Sequence, residues 1–385
     1  MVFVAGCKKT SGTGAAKEDL ALVPKESQIV FMGNVARMRN TAMWRKLLDY
    51  RDGNPAAKQK FDDLTKRYGF DPLKEIDSFF GAFPGAVSDE KEFALLVRGT
   101  FNKDNIEKAL SQVAKDEGHP LVMSDHGGKK LYTDAQGELF GSFLDPKSIL
   151  LGGKQWSGRV IDIADGKEQG SAKENPDLTT YFKRVKTSDA FWAVGLVPQT
   201  QRDQMKGDAR LSALSGMKAV FGSFDLASGL TADLNVELGS EQEAKDLATL
   251  ASTQLTDARK NPQIMLLGFG GVFDGVKIDS KGPTLHVAIN FNQKQVDDLS
   301  HSIEALLSSF GAGALGQMGG GPPSGMASPG MAPPGMAPTG IAPPGMAPMG
   351  IAPPGLAPSG VPSPTAPTAD PKNGGMVPKL HAPTL

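Results

Sequence analysis

The sequence contains a single cysteine, Cys7, among 385 residues. One thiol cannot form an internal disulfide, nor supply the several sulfur ligands of a multi-cysteine zinc site. The chain also lacks a basic excess: 41 Lys and Arg stand against 42 Asp and Glu. This balance argues against a dedicated nucleic-acid-binding protein. No run of about 18 apolar residues is present, so no segment predicts a transmembrane helix.

Residues 311–385 have no aromatic side chain and only three charged ones. They hold 18 of the 28 prolines and 16 of the 46 glycines. Such a segment cannot bury enough apolar surface to offset chain entropy, so we predict a disordered tail. Residues 325–359 repeat the unit Gly-[Met/Ile/Leu]-Ala-[Pro/Ser]-x with a period of five, which excludes a collagen triple helix. The tail is either a spacer or surface-reaching arm, or a passive extension.

The remainder of the chain alternates helix and strand signals. Apolar runs such as 27–35 and 93–99 predict strands. Residues that can cap helices precede apolar residues at helical spacing, at Asn40 or Thr41, Asn54-Pro55 and Asn102. A short helix is also predicted from Asp71-Pro72, with Ile76 and Phe80 on its apolar side. Short turns between neighbouring strands predict an α+β fold: a mainly antiparallel sheet with helices packed on one face.

Two short segments of the sequence each have a similar segment later in the chain. Residues 192–197 are similar to residues 31–35, and Phe221-Gly-Ser-Phe224 is similar to Phe80-Gly-Ala-Phe83. We therefore expect two related halves within the folded region. The predicted organisation is the end of a signal peptide (1–6), a lipidated N-terminus and tether (7–20), two α+β halves (21–187 and 188–310) and the tail (311–385).

Several longer stretches carry a resemblance to known sequences. They are GFDPLKEIDSFFGAF (69–83), FALLVRGTFNKDNIEKAL (93–110), KKLYTDAQGELFGSFLDPKSILLGG (129–153) and NPDLTTYFKRVKTSDAFWAVGLV (175–197). Their order resembles a class of secreted bacterial proteins known only as domains of unknown function. The resemblance implies an extracytoplasmic α+β protein. It implies no catalytic residue, because none is established for the class.

The segment Val4-Ala5-Gly6-Cys7 resembles the lipobox of bacterial lipoproteins. In that class the cysteine thiol receives a diacylglycerol and a peptidase cuts just before it, which implies that Cys7 is a lipid-attachment site and that the membrane is a partner. Lys8 stands where inner-membrane retention signals often carry Asp, which favours the outer membrane. Only Val2–Ala5 precede Gly6, whereas a signal peptide needs an apolar core of 7–15 residues, so we expect the true start upstream.

Metal, nucleotide and hydrolase signals are weak. His119 and His126, with Asp125 beside the latter, are candidate metal ligands, but no third ligand is evident and surface turns use the same residues. His286 and His301 are interpreted as structural.

The glycine-rich segment 268–275 lacks the Gly-Lys-Ser/Thr of a phosphate loop and predicts a helix end with a turn. No Gly-x-Ser-x-Gly elbow occurs. We therefore predict no catalytic residue, metal site or cofactor.

Two pairs of adjacent aromatic residues, Phe79-Phe80 and Phe191-Trp192, are interpreted as core rather than as a ligand platform. The predicted function is a non-catalytic, membrane-anchored envelope lipoprotein with a binding or scaffolding role, whose partner is an envelope protein or an apolar ligand and not a nucleic acid. The alternative is an extracytoplasmic hydrolase or metal-dependent enzyme. A carrier predicts a continuous apolar cavity, and an enzyme predicts a polar cleft with a histidine near a carboxylate or serine.

Overall fold

The computed structural model describes residues 13–85, 92–118, 121–133, 137, 139–207, 211–262, 270–299 and 301. All of them belong to one compact unit that ends before residue 321. Cys7, His119 and the predicted tail lie outside the described residues. Within these ranges no helix combines the length and apolar character needed to cross a bilayer.

The strands and helices alternate along the chain. The strands are β1 (Ile29–Asn34), β2 (Ile76–Phe83), β3 (Ala94–Gly99), β4 (Val122–His126), β5 (Lys129–Thr133), β6 (Phe140–Asp145), β7 (Ser148–Gly152), β8 (Phe191–Leu196), β9 (Ala219–Asp225), β10 (Gly229–Glu237), β11 (Val276–Lys281) and β12 (Thr284–Asn292). The helices are α1 (Thr13–Leu20), α2 (Val35–Met38), α3 (Ala42–Gly53), α4 (Pro55–Tyr68), α5 (Pro72–Glu75), α6 (Lys103–Asp116), α7 (Lys154–Ala164), α8 (Pro176–Phe182), α9 (Gln199–Gly207), α10 (Glu241–Lys260) and α11 (293–299).

All the described strands join one antiparallel sheet, in the order β11-β12-β10-β9-β8-β1-β2-β3-β7-β6-β5-β4. On each side of the central β1–β8 pair the same connection recurs. Three strands are followed by a helix, α6 or α10, and the chain then returns to pair with the third strand through β7 or β12. The hairpin β4–β5 extends the first side only. The α+β fold class is confirmed, while the division into two related halves at 21–187 and 188–310 stays a prediction.

Helix capping by the predicted residues is confirmed at three positions. The Thr41 hydroxyl accepts the N–H of Trp44 at 3.2 Å, beginning α3. The Asn54 side chain accepts the N–H groups of the first turn of α4 at 3.1 Å, and that of Asn102 accepts the Asn105 N–H at 3.1 Å. These caps satisfy backbone donors that have no partner inside the helix.

The short helix predicted from Asp71 to Phe80 is wrong beyond its first turn. The helix α5 ends at Glu75, and β2 begins at Ile76. Ile76 and Phe80 have helical spacing, but the segment forms a strand. Successive side chains of a strand alternate between faces, so Phe79 and Phe80 point to opposite faces of the sheet. Each face supplies aromatic partners, so both side chains pack.

The main hydrophobic core lies on one face of the sheet, which we call the core face. Val30, Phe80, Leu96, Leu150, Trp192 and Phe221 point to it and are almost fully buried. Helices α1, α7 and α8 cover these side chains. The ring of Trp192 lies 6.1 Å from that of Phe80 and 5.3 Å from that of Phe182 on α8. Removing so large a buried ring would cost about 3–5 kcal/mol of unfolding free energy.

Helices pack on both faces of the sheet rather than on one face as predicted. Ala244 and Ala248 of α10 pack with Leu285, and Ile278 and Val287 join this second cluster. The strand register places Leu285 and Val287 on the face opposite to Trp192. The sequences of β11 and β12 explain this placement, because apolar residues such as Ile278, Leu285 and Val287 alternate with polar ones such as Lys277 and His286. The apolar side of these two strands therefore lies on the face where α10 packs.

Candidate functional site

The centre of the sheet presents a second apolar surface, opposite to the core face. We call it the aromatic face. The register aligns its side chains in three rows across β3, β2, β1, β8, β9 and β10. Phe93, which directly precedes β3, joins the first row through its ring contact with Phe83. The rows are Phe93, Phe83, Ile29, Gly195, Val220 and Val236; Leu95, Gly81, Phe31, Ala193, Gly222 and Leu234; and Val97, Phe79, Gly33, Phe191, Phe224 and Ala232. None of these side chains carries a charge or a hydrogen-bonding group.

Six phenylalanine rings run across this surface. The ring of Phe31 lies 6.2 Å from Phe79, 5.9 Å from Phe83 and 6.1 Å from Phe191. At the two ends of the series, Phe83 stacks on Phe93 at 5.9 Å and Phe191 stacks on Phe224 at 5.1 Å. The rings therefore fix one another in place, since aromatic pairs at such distances add about 0.5–1.5 kcal/mol beyond burial.

Two of the rings reach over glycines of the neighbouring strand. A Cβ on Gly33 would lie 2.2 Å from the Phe79 ring, and a Cβ on Gly81 would lie 2.3 Å from the Phe31 ring. Gly195 differs, because its nearest neighbour is Ile29 at 3.7 Å, an ordinary contact. Gly195 and Ala193 are the small residues of β8 on this face. Together they form a shallow strip between larger apolar side chains, which we call the low strip.

Large side chains of the aromatic face are exposed to solvent. Ile29 and Phe83 are each 36% exposed, Val220 is 39% exposed and Leu234 is 44% exposed. They lie on β1, β2, β9 and β10, so the exposed residues form a patch about 20 Å wide rather than scattered positions. Contiguous exposed apolar patches of this kind mark binding surfaces.

Polar groups begin only at the borders of the aromatic face. On one side Tyr132 donates its hydroxyl hydrogen to Glu107 of α6, and the Lys103 ammonium lies 5.5 Å from the centre of the Phe143 ring. Burial and the neighbouring Glu107 carboxylate raise the pKa of Tyr132, so the phenol stays neutral. On the other side α10 covers β11 and β12. Between these helices, Ile29, Phe83, Val220 and Leu234 of the described strands remain exposed.

The candidate metal ligands His126 and Asp125 have different neighbours, and His119 lies outside the described residues. His126 Nε2 lies 3.0 Å from Asp162 Oδ2 without hydrogen-bond alignment, and Asp125 accepts the Gly128 N–H at 3.1 Å. His286 lies 3.4 Å from both Asp233 and Asp279. No group of three potential metal ligands exists within the described ranges. The enzyme alternative rests on these surface pairs alone and stays a prediction.

Neither of two prominent cavities formed by the described residues is the enclosed apolar cavity predicted for a carrier. One is an open groove of about 750 Å³ along α10 and β11, and the other is a pocket of about 150 Å³ beside Arg98 and Lys129. Both have charged side chains in their walls. The apolar surface of this part of the protein is the open aromatic face instead.

Sequence reasoning missed the aromatic face although a signal was present. Phe80 and Trp192 are almost fully buried in the core, whereas their neighbours Phe79 and Phe191 are half-buried and line the aromatic face. Adjacent aromatic residues within a strand must point to opposite sides of a sheet. Two such pairs therefore indicate aromatic surfaces on both faces.

No protein-family model and no curated protein matches the chain. Among solved structures, crystal forms I and III of TP0453 are similar to it with TM-scores of 0.40 and 0.39, each at 12% identity. The matches cover 74% of this chain and 96% and 97% of the TP0453 chains. These values assign the chain to no family, so its function is argued from the residues described above.

Proposed function

We propose that this protein is a non-catalytic, membrane-anchored envelope lipoprotein that binds apolar ligands on its aromatic face. The observation that carries the proposal is the uncovered patch around Ile29, Phe83 and Val220, which has no charge. Covering about 300 Å² of such surface would contribute about 7 kcal/mol before the costs of association.

The chemistry of the face limits the class of ligand. The backbone N–H and C=O groups of β1, β2, β8 and β9 are used between strands, because each strand has a neighbour on both sides. Side chains of the face offer no hydrogen bond. Recognition therefore rests on apolar contact, which favours hydrocarbon chains or rings over an extended peptide that needs backbone partners.

A lipid on Cys7 would hold the body of the protein close to a membrane. The helix α1 begins at Thr13, six residues after Cys7, and six extended residues span at most about 21 Å. Two contacts fix α1 to the body: Leu20 is buried in the core, and Arg98 Nε donates to Asp19 at 3.0 Å. The body would therefore lie within about 20 Å of the lipid, where hydrocarbon ligands are available.

A ligand titration tests binding at the aromatic face. The full chain, produced without lipid, would be titrated with the fluorescent fatty acid cis-parinaric acid. Gly195→Trp would fill the low strip on β8, because Gly195 has open space above it and no positive φ. Gly53→Trp is the matched control, since Gly53 at the end of α3 has no atom within 4 Å of an added Cβ.

We expect binding by the parent chain and by Gly53→Trp, and at least about tenfold weaker binding by Gly195→Trp, a change of about 1.4 kcal/mol. Equal affinity for all three chains would contradict the assignment of the site. The anchor is tested separately by expressing the gene with its upstream region and with Cys7→Ala. Unchanged partitioning into the detergent phase would rule out lipidation of Cys7.

A further inference from the structure

The strand β11 forms one end of the sheet. It pairs with β12, and no other described strand pairs with its outer edge. An edge strand offers unpaired N–H and C=O groups, and proteins usually cover or pair such an edge. The residues of β11, VKIDSK, are followed by the turn at Gly282.

The open groove of about 750 Å³ lies directly beside this edge. Its floor includes Asp279 and Ser280, and its wall is formed by α10. Three threonines of that wall donate their hydroxyl hydrogens to carbonyl groups of their own helix: Thr249 to Lys245 at 2.8 Å, Thr253 to Thr249 at 2.9 Å and Thr256 to Ser252 at 2.8 Å. The wall therefore combines small side chains, including three threonines whose hydroxyl donors are already used, with the charged side chains of Lys245, Asp257 and Lys260.

Charges on β11 are arranged so that the strand complements itself. Lys277 and Asp279 are both exposed and point to the same side of the sheet, with Ile278 between them pointing to the other. If two copies of β11 pair antiparallel about Ile278, Lys277 of each copy lies directly opposite Asp279 of the other. Opposite charges at such cross-strand positions stabilise the pair, and the arrangement occurs twice.

We propose that β11 is the interface of a twofold homodimer in which the two sheets join edge to edge. Paired strands lie about 4.8 Å apart. Each α10 packs over β11 and β12 of its own copy, so the two α10 helices would lie about 10 Å apart, the spacing of directly packed helices. The small side chains along the middle of the groove, Ala248, Thr249, Ser252 and Thr253, permit this approach, and each groove is filled by the α10 helix of the other copy.

This inference goes beyond the proposed function and does not depend on it. The twofold axis of an antiparallel strand pair is perpendicular to the sheet, so it leaves each face on its own side. Both aromatic faces would then lie on one side of a continuous sheet, and both core faces on the other. Ligand binding and dimer formation can therefore fail independently.

The test is the molar mass of the full chain in reducing buffer, measured by light scattering after size exclusion, from about 1 to 100 μM. Reductant excludes a disulfide through Cys7. We expect a dimer that Lys277→Glu weakens at least about tenfold, because the introduced carboxylate would oppose Asp279 of the partner subunit. Adding Asp279→Lys should restore the dimer, and Lys154→Glu, a charge reversal on α7, should leave it unchanged.

A second pair of variants checks the helix contact. Thr253→Trp places a large ring in the groove, whereas Gln254→Trp places it on an exposed position of α10 outside the groove. The first should weaken the dimer and the second should not. A monomer at every concentration would overturn the proposal. So would a dimer that resists Lys277→Glu but is lost in Ile29→Glu, because that result assigns the contact to the aromatic face.

Discussion

The ring of Phe79 on β2 covers Gly33 on β1, and an added Cβ at Gly33 would lie 2.2 Å from the ring carbon Cζ. The two residues are directly paired in the register. Glycine at position 33 is therefore required by the ring that lies over it and not by a turn. The same relationship between Phe31 and Gly81 shows that the aromatic face is built from phenylalanines over glycines.

This relationship predicts opposite outcomes at two glycines of the same face. Gly33→Val should lower the free energy of unfolding by about 1–3 kcal/mol, because the Phe79 ring must leave its position. Gly195→Val should change it by less than about 1 kcal/mol, because the space above Gly195 is open and valine favours strands. Urea unfolding of both variants measures this, and similar losses at the two sites would contradict the packing described.

Substitutions at two phenylalanines of β2 should affect the stability of the fold and the affinity for ligand differently. Phe80 is 1% exposed in the core face, so Phe80→Ala should cost about 3–5 kcal/mol of unfolding free energy. Phe83 is 36% exposed on the aromatic face, so Phe83→Ala should cost less than Phe80→Ala while weakening the binding of cis-parinaric acid. Chemical unfolding and the titration are made on the same samples. Unchanged ligand affinity in Phe83→Ala would count against the site.

An ion pair connects α2, the helix after β1, to the end of β9. It predicts that the free energy of unfolding depends on pH. Arg37 Nε and Nη2 donate to the two carboxylate oxygens of Asp225 at 2.6 and 2.7 Å. The Arg37 guanidinium lowers the pKa of Asp225 below its ordinary 3.8. A lowered folded-state pKa contributes stability above the unfolded value, and this contribution is lost as the pH falls through the folded pKa.

We therefore expect Arg37→Gln to lower stability at pH 7 by at most about 1 kcal/mol, a modest value because Arg37 is 42% exposed and solvent screens the pair. The difference from the parent chain should persist down to about pH 4 and shrink below it. Urea unfolding across this pH range measures the difference. A difference that grows with acidity would contradict the assigned sign.

The sequence predicts local features of this fold better than its long-range pairing. Caps such as Thr41 and Asn102 depend on a few neighbouring residues, so their roles could be predicted. The pairing of β1 with β8 joins residues about 160 positions apart, and no local pattern specifies it. The prediction of a helix through Phe80 was wrong for a related reason. Apolar residues in this segment fit both the helical and the strand spacing, and only the pairing of β2 with β1 and β3 decides between them.

Part of the candidate site could be predicted from the sequence. The pairs Phe79-Phe80 and Phe191-Trp192 indicate two aromatic surfaces once both segments are known to be strands. What the sequence could not provide is which surface remains open, because that depends on where α6 and α10 pack relative to β1 and β8. Cys7 lies outside the described residues, so its lipidation stays a prediction.

Photolabelling tests the central claim most directly, because it reports where a hydrocarbon ligand lies. The full chain would be irradiated with a fatty acid carrying a diazirine on its alkyl chain, and the labelled peptides would be identified by mass spectrometry. Binding at the aromatic face predicts labels in β1, β2, β8 and β9, at residues such as Ile29, Phe83 and Val220, and their loss in Gly195→Trp. Labels confined to other surfaces, or unchanged in that variant, would contradict it.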